Sequence, residues 1–219
     1  MKNLIVYDWG ILDYQTAYNR QKTLHQFRTV NLIPDALILV EHPTVFTIGK
    51  NGNLANLLVN KQILEKNKIG LYQIERGGDI TVHNPGQLVG YPIFKLLEHK
   101  IGVKTFVYQL EQIICDVLSQ YHIAAEIKHP LIGVFVGHKK IASIGIAVSK
   151  GVSYHGFALN VGNDLSYFNW INPCGIQKLE VTSIKQILNR DVSLDELKNA
   201  IVAQFQDKFQ LNLLKFELM

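Results

Sequence analysis

Residues 131–161 read LIGVFVGHKKIASIGIAVSKGVSYHGFALNV, and this stretch decides the fold class. Three runs rich in Val, Ile, Ala and Phe are interrupted by GHK at 137–139 and SKG at 149–151. Apolar, β-branched runs broken by short polar segments with glycine read as strands joined by hairpin turns. The middle of the chain is therefore mostly β.

Outward from this stretch, strands alternate with helical patterns. LIVYD at 4–8 reads as a strand, and DYQTAYNRQKTLHQFRTV at 13–30 as a helix capped by Asp13. ALILVEH at 36–42 and VFTIG at 45–49 read as strands around a Pro-containing turn, 56–69 as helical, and 71–77 and 87–94 as strands. The strongest helix is KTFVYQLEQIICDVLSQYHI at 104–123. Phe106, Leu110, Ile113, Ile114, Val117, Leu118 and Tyr121 share one face at i, i+3, i+4 spacing. Cys115 lies beside that stripe and reads as a packed core thiol. The end is helical, with Ser193 and Glu196 at capping-box spacing. No repeat, low-complexity tract or linker divides the 219 residues. The expectation is one α+β domain of mixed β-sheets with flanking helices, leaving room for a small C-terminal helical lobe from about residue 180.

The composition is that of a chain with a sizeable core: 47% hydrophobic, 18% charged, net charge +4. The densest basic cluster, at 126–140, reads as a solvated face or as a surface suited to an acidic protein partner. No basic stripe with interleaved aromatics points to nucleic acid. The N-terminal apolar run is cut short by Asp8, unlike a signal peptide. No run approaches the ~18 residues of a membrane span. A soluble, cytoplasmic chain is expected, whose Cys115 and Cys174 stay unpaired in a reducing compartment. Two cysteines without C-x-x-C spacing give no zinc site, and no metal is expected.

Two segments carry candidate chemistry. In ERGGDITVHNPGQLVGYPIF at 75–94, Arg76-Gly77-Gly78, His83 and Gln87 surround the turn-forming Asn84-Pro85-Gly86 between two apolar strands. The residues alone allow a plain hairpin or a ligand-binding loop. The spacing fits neither a P-loop nor a dinucleotide fingerprint. In INPCGI at 171–176, Cys174 stands between a proline that fixes the backbone and a glycine that permits close approach. A core cysteine needs neither; a nucleophile presented on a rigid turn benefits from both. A neighbouring cation would favour the reactive thiolate. Lys139, Lys140 and His155 are the candidates, and Lys140 leads into the apolar strand IASIGIAV.

Taken together, RGGDITVHNPGQLVGYPIF at 76–94, KIASIGIAVSKGVSYHGFALNV at 140–161 and INPCGI at 171–176 resemble the lipoyl(octanoyl) transferases in order and separation. EHPTVFTIGK at 41–50 is similar to that family's upstream segment, and the resemblance covers roughly residues 36–188. It implies the fold of the biotin and lipoate protein ligase catalytic domain, a mixed sheet with outer helices and a smaller sheet beside it. The implied reaction moves an octanoyl group from acyl carrier protein, on its phosphopantetheine arm, to a lysine of a lipoyl domain. The acceptors would be apo lipoyl domains of 2-oxoacid dehydrogenase acyltransferase subunits and the glycine cleavage H protein. No cofactor, ATP or metal is implied, and a monomer is expected. The nucleophile falls on Cys174, and the activating lysine on Lys140 rather than Lys139. Acyl binding falls on Arg76, Gly77, Gly78, Asp79, Ile80, Thr81, Val82 and His83, on Ser143, Ile144 and Gly145, and on Gly156, Phe157 and Ala158. Backbone N–H groups near Gly77-Gly78 are the expected oxyanion donors. The chain departs from the family at Val82, where Tyr is usual, and at Asn84, where a small residue is usual. Two rivals are an ATP-dependent lipoate or biotin ligase on the same scaffold and a non-catalytic carrier-protein adaptor. The Cys174 and HNPGQ segments favour the transferase over the ligase, and the Cys174–Lys140 pair argues against the adaptor.

Overall fold

The structure is a computed structural model describing residues 2–177 and 179–218. β1 (Lys2–Ile11) leads into α1 (Tyr14–Thr29). The Asp13 carboxylate accepts from the Thr16 N–H at 2.8 Å, satisfying one of the open donors of the first turn. β2 (Asp35–Glu41) and β3 (Val45–Ile48) flank Pro43 but enter different sheets. Within 56–69, α2 (Lys61–Lys66) is the only α-helical part. The preceding Leu57 bridges to Ile171, and the Leu58 N–H donates to Trp170 O, so that backbone is committed elsewhere.

β4 (Gly70–Gln73), β5 (Ile80–His83) and β6 (Gln87–Ile93) follow. β5 replaces part of the loop expected between 76 and 87, because Ile80–His83 pair antiparallel with β3. Next come α3 (Val103–Gln120), β7 (Glu126–Ile127), β8 (Val134–Val136), β9 (Lys139–Ser149) and β10 (Val152–Asn160). The chain continues through α4 (Ile184–Leu188) and α5 (Leu194–Phe209) to β11 (Leu211–Leu218). α5 is the helix that opens at the Ser193 cap, and β11 adds a strand beyond it that the sequence reading did not contain.

Among the described residues, an eight-stranded sheet runs β11-β1-β2-β6-β10-β9-β8-β7, with a three-stranded sheet β4-β3-β5 beside it. β1 is parallel to both neighbours, while β2, β6, β10 and β9 pair antiparallel in turn. The period of two sends Leu37 and Leu39 to one face of the large sheet and Ala36, Ile38 and Val40 to the other. β2 is buried on both faces and therefore reads as an unbroken apolar run. α3 and α5 cover the first face, with Phe106, Leu110, Ile113 and Phe205 fully buried. α1 covers the second. The small sheet buries Phe46, Ile48, Ile80 and Val82 against Leu64 and Phe168.

Candidate active site

The cleft forms where the small sheet closes against β9 and β10. The Gly77 N–H donates to Ile146 O at 2.9 Å, laying the Arg76–Asp79 turn on β9. That approach requires glycine opposite it: a Cβ at position 145 would lie 2.8 Å from Gly77 O. The space left is a narrow cleft open to solvent. Arg76, Gly77, Gly78, Asp79, Ile80, Thr81 and His83 line one wall. Ser143, Ile144 and Gly145 of β9 and Gly156, Phe157 and Ala158 of β10 line the other, with Cys174 between them.

Val82 does not join this wall. Alternation along β5 turns it into the small-sheet core beside Phe46. Asn84 is also outside it: its side chain donates to Asp164 O at 2.7 Å and accepts from Asn163 at 2.9 Å. Both departures from the family pattern thus lie off the cleft surface. The Gly77 N–H is already committed to Ile146 O, which removes it from the expected oxyanion donors.

Cys174 occupies a short 3-10 turn, Pro173–Gly175, and is half-buried. Its backbone is left-handed, with φ 58° and ψ 20°, a conformation that costs a non-glycine residue on the order of 1–2 kcal/mol. The turn is tied from behind. The Asn172 N–H donates to Asn56 O at 2.8 Å, and the Asn56 amide donates to Asp79 Oδ2 at 2.6 Å. Asp79 also accepts from the N–H groups of Asn53 and Ile80. It faces the cleft, yet its carboxylate is occupied in bracing the loops that present the thiol.

Of the three candidate cations, Lys140 is the one within hydrogen-bonding distance of that thiol. Its ammonium donates to Cys174 Sγ at 3.1 Å and to Ile132 O at 2.7 Å, and the residue is 4% exposed. A register shift opposite Val134 and Phe135 leaves Ile141 unpaired between Lys140 and Ala142. Such a bulge re-aims the residues beside it. Lys139 faces away and pairs with Glu180 at 3.2 Å. His155 lines the cleft at a left-handed position in β10 (φ 56°), with Nε2 3.6 Å from Glu75. Burial holds its imidazole below the ordinary value, so it is not a standing cation.

The floor is a buried polar network. Arg76 donates to Thr47 O at 2.7 Å and to Gly77 O at 3.0 Å. The Gln87 amide donates to Val82 O and Asn160 Oδ1, so its oxygen accepts from His83 Nδ1–H at 2.8 Å. His83 Nε2 is therefore the bare nitrogen. Burial lowers the His83 pKa to about 3, and that of His42 to about 4. His42 Nδ1–H donates to Leu12 O at 2.7 Å, leaving Nε2 to accept from the Tyr91 hydroxyl at 2.8 Å. Tyr91 lines the cleft with Tyr14, Ile74 and Val89. Sequence reasoning missed these four, since aromatic and aliphatic residues in a strand or at a helix start look like any core. Cys115 sits apart on α3, where burial pushes its thiol up to about 11.

The family pattern described as the lipoyl protein ligase A/B catalytic domain matches residues 13–206. The chain is 48% identical over 204 residues to an octanoyltransferase of Dictyoglomus turgidum, covering 92% of this chain and 85% of that protein. It is 45% identical over 214 residues to an octanoyltransferase of Solibacter usitatus, covering 98% and 96%. Among solved structures, lipoate-protein ligase A bound with ATP matches with a TM-score of 0.76 at 17% identity, covering 100% of this chain and 89% of that one. Biotin protein ligase from Aquifex aeolicus matches at 0.55 and 13%, covering 96% and 70%. Those two likenesses speak for the fold alone.

Proposed function

The chain belongs to the lipoyl protein ligase A/B catalytic-domain family and is an octanoyltransferase, and from that premise we propose how its residues carry the transfer. The octanoyl group comes from acyl carrier protein, rests on Cys174 as a thioester and passes to a lysine of an apo lipoyl domain. The acceptors are lipoyl domains of 2-oxoacid dehydrogenase acyltransferase subunits and the glycine cleavage H protein. The chain works as one cytoplasmic catalytic unit, a monomer with no cofactor of its own.

The contact between Lys140 and Cys174 carries this reading. An ammonium against the sulfur favours thiolate, the reactive form. The thiolate attacks the carrier thioester carbonyl, and the bond to the phosphopantetheine sulfur breaks. Lys140 gives its proton to the departing thiolate, leaving a neutral amine. The acceptor lysine then attacks the Cys174 thioester. An amide forms, the Cys174–acyl bond breaks, and the proton from the attacking nitrogen goes to Lys140. Ammonium and thiolate are thereby restored. The cleft between the Arg76–Thr81 segment and β9–β10 takes the acyl chain against Ile144, Phe157 and Ala158.

Intact-mass spectrometry after mixing with octanoyl-acyl carrier protein, with ATP removed and a chelator present, tests the reading. One octanoyl adduct on Cys174 is expected, discharged by an apo lipoyl domain. Strict ATP dependence would favour a ligase instead, and carrier binding without an adduct would favour an adaptor.

A further inference from the structure

Glu111 is an acid on the buried face of α3, among Leu110, Ile113 and Ile114, and is 2% exposed. Burial pushes its carboxyl up, and Lys140 is among the charges that pull it back down. A carboxylate in that position costs stability unless something compensates it. Beside the charges of His129 and Lys140, its compensation is a backbone hydrogen bond: Glu111 Oε1 accepts from the Gly133 N–H at 2.7 Å. The other end of the same peptide unit is Ile132 O, which accepts from the Lys140 ammonium at 2.7 Å. Lys140 in turn donates to Cys174. One peptide plane thus joins the acid to the lysine.

That plane sits beside a residue with φ 130°, where glycine's wide conformational freedom leaves the peptide free to turn over. Turned over, it would aim its N–H at the ammonium and its carbonyl at the carboxylate, and lose both contacts. A carboxylate on the N–H side fixes the orientation in which the carbonyl meets Lys140. Glycine is also needed for room, since a Cβ at position 133 would lie 2.3 Å from Lys140 Cε.

We infer that Glu111 is a positioning residue for the Lys140–Cys174 pair, acting through the Ile132–Gly133 peptide. This rests on the reading of Cys174 as nucleophile and Lys140 as its activator.

The readout is the rate of Cys174 alkylation by iodoacetamide at neutral pH, located by peptide mapping, with melting temperature measured alongside. Lys140→Ala checks the underlying reading first. If that variant alkylates as fast as the unmodified protein, the reading of Lys140 fails whatever Glu111 does. With that contrast in place, Glu111→Leu should slow alkylation about tenfold, the scale of one lost charge-assisted hydrogen bond. Glu111→Gln, which keeps an acceptor oxygen, should restore most of the rate. A merely structural acid would change the melting temperature and leave the sulfur as reactive as before. A Glu111→Leu protein that alkylates at the unmodified rate overturns the proposal, as does a Glu111→Gln protein as slow as Glu111→Leu. Should Glu111→Leu not fold, Glu111→Asp withdraws the carboxylate by one methylene, and an unchanged rate there overturns it equally.

Discussion

The Lys140 nitrogen lies 3.1 Å from the Cys174 sulfur across 34 residues of chain. Each partner reaches the contact from a local irregularity of the backbone. Lys140 is aimed by the bulge at Ile141, and Cys174 by a left-handed turn braced through Asn56 and Asp79.

Lys140→Ala should slow iodoacetamide modification of Cys174 at neutral pH by an order of magnitude or more, because the cation that favours thiolate is gone. Octanoyl transfer should fall further, since the second half-reaction also loses its proton acceptor. Lys139→Ala removes only an exposed pairing with Glu180 and should leave both rates near normal. Equal, small effects from the two would remove Lys140 from the mechanism.

The two thiols should separate under limiting reagent. With Cys115 pushed up to about 11 by burial, almost none of it is thiolate at pH 7. One equivalent of iodoacetamide should label Cys174 and abolish transfer. Cys115→Ala should retain most activity, and Cys174→Ala none. Labelling of Cys115 first would reverse the assignment.

Gly145→Ala tests the closure of the small sheet on β9. The added Cβ lands 2.8 Å from Gly77 O, a backbone atom that cannot swing aside. The turn carrying Arg76–Asp79 must lift, at a cost of about 1–3 kcal/mol. Acylation by octanoyl-acyl carrier protein should weaken with it. Wild-type melting temperature and acylation rate in this variant would contradict the described packing.

The buried histidines set an acid limit on stability. Both folded-state pKa values, about 4 for His42 and about 3 for His83, lie below the unfolded value. The unfolded chain therefore binds the extra protons first as pH falls. Stability is fully present above about pH 6.5 and declines below it, by about 1.4 kcal/mol per pH unit for each histidine. The loss from His42 ends near pH 4 and that from His83 near pH 3. Melting temperature against pH should show this fall, and His42→Gln should make it shallower. An unchanged slope in His42→Gln would mean that His42 does not titrate as its burial requires.

What the chain discloses by itself follows from the range of each interaction. The α3 stripe, the breaks at 137–139 and 149–151, and the Asp13 cap are local, and each is present where periodicity or turn chemistry puts it. β11 pairs with β1 some two hundred residues away, and nothing within 211–218 signals that partner. α1 hides its role differently. The face it turns inward carries Gln21, His25 and Arg28. Arg28 meets Asp35 at 2.8 Å, and His25 meets the Ser149 and Val152 carbonyls at 3.2 Å. A hydrophobic pattern cannot report a polar interface. Cys174 and Lys140 stood out because of their flanking residues, whereas Glu111 interrupts an apolar face and reads there as a blemish.

The left-handed turn at Cys174 sets durability against activity. A glycine in that position would relax the backbone, so Cys174→Gly removes the reactive sulfur and the strain together. Screening this protein for heat resistance alone would therefore drift toward an inert variant. Any stabilising campaign has to score turnover alongside melting.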